Sequence, residues 1–361
     1  MRRSDGVDTG SVINLAVPNY AAKTPCTVVV TSWHPPAYFE WDAVPKTLRS
    51  MRHWAVSAGA GDTPSAWVYP SAIDLCGAGF MQQVRWKDLE PTLGVYDFTA
   101  ITNALNWLQA NKPSTKMFIR LLDKSYLSSN SATDFSTDTQ VRLPAYFAGH
   151  VYHVYQGSTA SGFGPMVWET WVKDRFIALV TAMATAFGAH PSFAGICFDE
   201  STLSMVFPPP AEFSVVDNLS NRKAILSAAV SLFQGKTIMQ PINYFDGGDG
   251  GSTQFSTSID DFTTWCMSNG VQISLVDTVP TKNSFMYPMS SVLRTHAPAF
   301  AIVDAGRVYP RTDMSAGVEQ TNVTGNFTDI KNWLLVYENI TDVFWPIANN
   351  NTFAALQTVL A

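Results

Sequence analysis

Along the chain, short apolar runs alternate with longer stretches in which apolar residues return every three or four positions. The runs read as strands and the stretches as helices. "CTVVVTSWHP" (26–35) reads as a first strand and "DAVPKTLRSMRHWAVSA" (42–58) as a first helix. "GAGFMQQVRW" (77–86) is a strand, and 97–111 is a helix whose Ile101, Leu105 and Leu108 share one face. "TKMFIRLLD" (115–123) is a third strand. From Lys124 to about Gly164 the chain is rich in Ser, Thr and Gly and reads as a long loop. A helix over 167–190 then leads through a His190-Pro191 turn into "FAGICFDE", a fourth strand. Helices at 221–235, 258–270, 289–297, 327–340 and 351–360 alternate with strands at 236–245, 271–279, 299–308 and 341–348. Ser258 and Gly270 supply the start and stop signals of one of them.

Strands separated by helices pair in parallel, with the helices as crossovers. Eight such units predict an α/β fold, a closed (β/α)8 TIM barrel, which takes about 250 residues before insertions. The chain has 361 residues. The surplus falls to an N-terminal extension over 1–40, outside the barrel, and to the long loop after strand three. A doubly wound open sheet is the competing architecture, but no Gly-x-Gly-x-x-Gly turn follows a strand. No internal repeat or low-complexity linker divides the chain, so 1–361 reads as one domain.

In such a barrel the chemistry sits at the C-terminal ends of the strands. Strand two ends on Gln83, Arg85 and Trp86, strand three on Arg120 and Asp123, and strand four on Asp199 and Glu200. Strand five offers Asn243, Tyr244 and Asp246, strand six Asp277, strand seven Asp304 and Arg307, and strand eight Trp345. The set is acidic, with no Ser beside a His and no His pair at metal spacing. Two carboxylates across a cleft suit glycoside hydrolysis: one protonates the leaving oxygen, and the other attacks the anomeric carbon or activates water. Burial and neighbours must split their pKa values for those roles. Trp and Tyr faces can pack on sugar rings, and Arg and Asn can bind hydroxyls or hold a carboxylate.

Composition narrows the classes. Hydrophobic residues make up 46% and charged residues 14%, a balance that supports a large core and argues against disorder. The formal net charge is −6 and no basic stripe occurs, so no nucleic-acid partner is expected. No apolar run of about 18 residues occurs, so no membrane span is expected. The N-terminus begins "MRRSDGVDTG" but lacks the continuous apolar core of a signal peptide. Low charge and abundant Ser, Thr and Gly favour an extracellular or virion-associated setting over the cytoplasm. Cys26, Cys76, Cys197 and Cys266 form no Cys-x-x-Cys pair, so no metal or cofactor is expected, and Cys197 reads as a small buried residue. His150 and His153 fit helical i, i+3 spacing without a third ligand. "DGGDGG" (246–251) reads as a turn without the spacing of a calcium loop. Oligomeric state leaves no mark in the sequence.

Three segments resemble the clan A glycoside hydrolases, the barrel glycosidases with a catalytic Glu after strand four. "VRWKDLEPTLGVYDFTAI" (84–101) is similar to the clan's strand-two passage. "WETWVKDRFIALVTAMATAFGAHPSFAGICFDES" is similar to its third helix, His-Pro turn and acid-bearing strand, and "DVFWPI" to its last strand. The resemblance implies Glu200 as general acid/base, Arg85 as the arginine that orients the nucleophile, and Trp345 as a substrate-facing aromatic. Asp199 stands where the clan usually has Asn, and would bind a sugar hydroxyl. The clan's strand-seven Glu is missing; "AFAIVDAGRVYP" offers Asp304, with Asp277 as the second candidate. The shorter Asp widens the carboxylate separation toward the inverting range.

A structural alternative stands beside each assignment: Glu200 paired with Arg85 or Arg120, Asp199 capping a loop, Asp304 bound to Arg307, Trp345 packed in the core. Two readings of the whole follow. One is a hydrolase acting on a poly- or oligosaccharide, with Trp345, Tyr244 and Trp86 shaping the subsites and Asn243 as a polar contact. The other is a non-catalytic carbohydrate-binding or structural barrel, for example a virion or surface component.

Overall fold

The strands that close the sheet are apolar on both faces, as a parallel barrel buried inside and out requires. The computed structural model describes residues 12–15, 26–29, 40–41, 52–57, 70–125, 134–136, 141–156, 159–205, 210–242, 253–278, 300–303, 331, 341–347 and 350–360. Eight parallel strands form a closed barrel: β4 (Arg52–Ser57), β5 (Gly77–Arg85), β6 (Lys116–Leu122), β9 (Phe193–Cys197), β10 (Thr237–Ile242), β11 (Val271–Thr278), β12 (Phe300–Val303) and β13 (Asp342–Ile347), which pairs back onto β4. Three short antiparallel strands, β1 (Val12–Leu15), β2 (Cys26–Val29) and β3 (Glu40–Trp41), make a separate sheet. An antiparallel hairpin, β7 (Val151–Gln156) and β8 (Thr159–Pro165), interrupts the barrel between its third and fourth strands.

Three of the elements read from the sequence are corrected. The 26–35 run does not open the barrel; its described part pairs in the small sheet. The first barrel strand lies instead inside 42–58, at Arg52–Ser57. Its apolar residues Trp54 and Val56 alternate with period two, and that signal was overridden by the helix-like spacing around it. The long loop after strand three contains the β7–β8 hairpin, so His150 and His153 are not on a helix: His153 lies within β7 and His150 precedes it.

The barrel interior carries a layer of Trp54, Val56, Met81, Phe118, Cys197, Met239 and Phe344. Trp54 stacks on Phe344 at 5.6 Å and meets Phe118 edge-on at 5.0 Å. At the barrel's N-terminal end the Trp54 indole N–H donates to buried Asp342 (2.7 Å), which also takes Arg52 (2.8 Å). Outside the strands lies the larger core. Ile101, Leu105 and Leu108 of α3 (Thr99–Asn111) bury the face read from their spacing. Phe176, Leu179 and Val180 of α4 (Thr170–Met183) and Ile225 and Leu226 of α5 (Val215–Leu232) continue it. Cys76, Cys197 and Cys266 are buried free thiols. Among the described residues, no helix is long and apolar enough to cross a membrane.

Two strands change phase at a glycine. Residue 78 is an extra residue in β5 opposite β4, and residue 194 an extra residue in β9 opposite β6. A side chain at Gly79 would stand 2.0 Å from the Lys116 carbonyl oxygen, and one at Gly195 would stand 1.9 Å from that of Thr237. Both contacts are to backbone, which cannot swing away. Gly195→Ala is therefore expected to cost about 3 kcal/mol or more in denaturant unfolding. Gly235→Ala, at φ +75° but with open space around it, should cost about 1 kcal/mol. Equal losses would show that the close approach is not what demands the glycine.

Candidate active site

The fourth strand keeps pairing with its neighbour beyond its last ladder residue. Phe198 donates to the Met239 carbonyl at 2.9 Å and Ser201 to that of Pro241 at 3.1 Å. The two acids between them are thus carried by backbone held at both ends, at the C-terminal rim of the barrel. Their environments differ sharply. The Asp199 side chain is 2% exposed and that of Glu200 is 17% exposed.

Asp199 is bound entirely into the protein. Its Oδ1 accepts from Arg120 Nη2 (3.3 Å) and from the Glu200 N–H (2.9 Å). Its Oδ2 accepts from the N–H groups of Asp123 and Lys124, each at 3.3 Å. Burial alone would raise its pKa, but Lys124, Arg120, Arg142 and the Glu200 N–H outweigh burial and hold it well below the usual carboxylate range. The expectation that Asp199 binds a sugar hydroxyl is corrected: its oxygens are engaged by backbone and guanidinium. Asp123, by contrast, is pushed up to about 6, by burial first and by the neighbouring Asp199 charge, against the pull of Lys124.

Glu200 faces Arg120, with Oε1 3.8 Å from Nη2. This is the pairing with Arg120 foreseen as the structural alternative, yet the arginine lies nearer to Asp199. Behind Glu200, Lys124 donates its ammonium to the Glu200 carbonyl and lies 3.5 Å from Asp123 Oδ1. Arg142 in turn donates to the Lys124 carbonyl at 2.7 Å. Lys124 and Arg142 were missed by the sequence reading. Lys124 stands one residue past the last residue read into strand three, and its only signal is its place beside Asp123 in "RLLDKS".

The two tryptophans expected at the rim do not line it. Trp86 opens the short helix α2 (Trp86–Leu89) and turns into the outer core, against Phe147 (4.9 Å) and Phe176 (4.3 Å). Its indole N–H donates to Glu90 at 2.9 Å. On β13 the side chains alternate, so Phe344 faces the interior and Trp345 the helices. Trp345 is fully buried and donates to His53 Nδ1 at 3.1 Å. Both are core residues rather than sugar platforms. Arg85 sits at the end of β5 in a two-bond pair with Asp88, at 2.6 and 2.9 Å. Asp277 is carried by β11, and its side chain lies outside what is described. Asn243, Tyr244 and Asp304 lie outside the described residues, as do Asp246, Arg307 and the helix read at 289–297.

The β7–β8 hairpin walls the rim beside Glu200. Ser125, at the end of strand three, exchanges bonds with Phe163, accepting at Oγ from its N–H (3.0 Å) and donating its own N–H to its carbonyl (3.0 Å). Tyr155 donates its N–H to the Ser204 carbonyl at 2.6 Å. Ser204 has φ +48°, a conformation costly for a residue with a side chain and common near functional sites. Tyr152 and Val154 bury against Trp168, Leu203 and Met205, which fixes the loop after Glu200 to the hairpin. On the far side of the hairpin His150 bonds Glu169 at 2.6 Å and stacks on Trp171. Behind Asp199 a small cavity is lined by Asp123, Arg222, Gln240 and apolar side chains.

No known family model matches the chain, and no curated protein matches its sequence. Solved structures do match its fold. The catalytic domain of a beta-amylase from Paenibacillus polymyxa superposes with a TM-score of 0.54 at 8% identity, over 86% of this chain and 98% of that one. A beta-galactosidase from Rahnella sp. R3 superposes with a TM-score of 0.51 at 9% identity, over 87% of this chain and 56% of that one. The chain therefore shares with these two proteins the fold of a closed (β/α)8 barrel.

The folded Asp123 carboxyl holds its proton to higher pH than an unfolded one, so stability falls as pH rises from its ordinary 3.8 to about 6. Asp123→Asn supplies an N–H donor and no titration. Thermal unfolding followed from pH 4 to 7 should show that decline in the wild type and its absence in the variant, which should be the more stable of the two at pH 7. A parallel decline in both would place the proton elsewhere.

Proposed function

We propose that the protein is a glycoside hydrolase acting on a poly- or oligosaccharide, with Glu200 as its proton donor. One observation carries the reading. Of the three described acids gathered at the ends of strands three and four, Glu200 alone keeps a partly exposed carboxyl, while Asp123 and Asp199 are 6% and 2% exposed. A general acid must reach the leaving oxygen and still sit in a partly dry place. Asp199 takes up the nearer share of the Arg120 charge, so the field at Glu200 is weaker than that of a bare guanidinium. The partner carboxylate is assigned to Asp304, with Asp277 as the other candidate, and Arg85 to its neighbourhood. Asn243 and Tyr244 would meet the sugar after strand five. The glycosidase fold supports this reading without choosing the sugar.

A second reading is a carbohydrate-binding barrel without turnover, in an extracellular or virion setting. It is favoured by strand seven, whose sequence carries Asp304 and no Glu. A polysaccharide panel assayed for new reducing ends separates the two. Glu200→Gln should keep the melting temperature within about 2 °C and lower turnover by about 10²–10⁴-fold. Asp304→Asn and Asp277→Asn, run together, identify the partner by which one also silences the enzyme. Glu200→Gln working at the wild-type rate would remove the assignment. Calorimetric sugar binding with no hydrolysis by any form would establish the binding barrel instead.

A further inference from the structure

We propose that Lys124 is a positioning residue: its buried ammonium holds the main chain that carries Glu200 and so sets where that carboxyl stands in the barrel mouth. The inference rests on the reading of Glu200 as proton donor. Lys124 is 1% exposed, and among the described residues no other lysine is buried. Burying an ammonium is costly unless hydrogen bonds and opposite charge compensate. Here the compensation converges on one dipeptide. The Lys124 ammonium donates to the Glu200 carbonyl, and the Lys124 N–H donates to Asp199 Oδ2. The remaining backbone group, the Lys124 carbonyl, is taken by Arg142.

The ladder between β6 and β9 ends at the pair Arg120 and Cys197. Beyond it the two chains diverge, and side chains replace the ladder. Asp199 holds the N–H of Glu200, and Lys124 holds its carbonyl. With both flanking peptides fixed, the place of the Glu200 carboxyl follows from its side-chain rotors and its pairing with Arg120. The lysine stem is itself covered by the hairpin, where a side chain at Gly164 would stand 3.0 Å from Lys124 Cγ. The charged groups around the site are Asp123, Asp199, Arg120 and Arg142, with Arg222 acting on Asp123 from behind.

Carboxyl ¹³C NMR of glutamate-labelled protein tests this without a substrate. The chain has seven glutamates, and the Glu200 resonance is the one absent from Glu200→Gln. In Lys124→Met the Glu200 titration midpoint should rise by about half a unit or more, and Lys124→Arg should restore part of the change. If Lys124→Met does not fold, Lys124→Met combined with Asp123→Asn removes both charges and is compared with Asp123→Asn alone. On the polysaccharide found in the panel, kcat should fall about 10–100-fold with KM held within about twofold. A folded variant whose Glu200 titrates as in the wild type overturns the proposal, as does a raised KM with unchanged kcat. Failure of the hydrolase reading shows separately, as no turnover by the wild type, and leaves the titration result standing.

Discussion

A buried carboxylate, Asp199, ties the third and fourth barrel strands together where their ladder ends. It accepts from two backbone N–H groups of the third strand's continuation, from its own neighbour's N–H, and from Arg120. Taking such a group out of water costs several kcal/mol unless every lone pair is used. The four donors meet that requirement, and three cations hold the acid ionised. Everything at the rim depends on this anchor. It fixes the residue on which the candidate acid stands, it gives Arg120 and Lys124 a reason to be buried, and its charge adds to the burial that pushes the Asp123 carboxyl up.

Much of the barrel was legible because its elements repeat a strong local signal. The α3 face of Ile101, Leu105 and Leu108 stands as read, and the strand read as "FAGICFDE" is found at Phe193–Cys197. The first strand was not, because Arg52–Ser57 is short and lies among residues spaced like a helix. The hairpin was hidden for another reason. Its strands carry Ser, Thr, Gly and His in place of a clean apolar alternation, and its order comes from docking on Ser125 and Ser204, which no local pattern reports.

At the site, position was legible and partnership was not. Strand ends named Asp199, Glu200, Arg120 and Asp123 together, but which acid would be locked and which offered depends on contacts across 76 positions of sequence. The tryptophans illustrate the same limit. A Trp at a strand end reads equally as platform or core, and an offset of one residue decides between them: Phe344 faces the interior and Trp345 does not. The "WKDLEPTLG" segment gains a physical meaning of its own. Glu90 accepts from the Trp86 indole and the Gly94 N–H and pairs with Arg175 of α4, so the motif is a clasp between a strand exit and the next helix layer.

The phase change at Gly195 bears directly on that choice between two acids. Phe193 faces the helices, and an uninterrupted strand would send Cys197 and position 199 the same way, leaving 198 and 200 to the interior. The extra residue at 194 shifts the alternation by one, so Cys197 faces inward and Asp199 reaches Arg120. The extra residue beside Gly195 thereby decides, four residues later, that position 199 faces the barrel interior and that its carboxyl is sealed against Arg120. Parity thus puts the anchoring carboxyl in reach of its cations before any of those contacts can form.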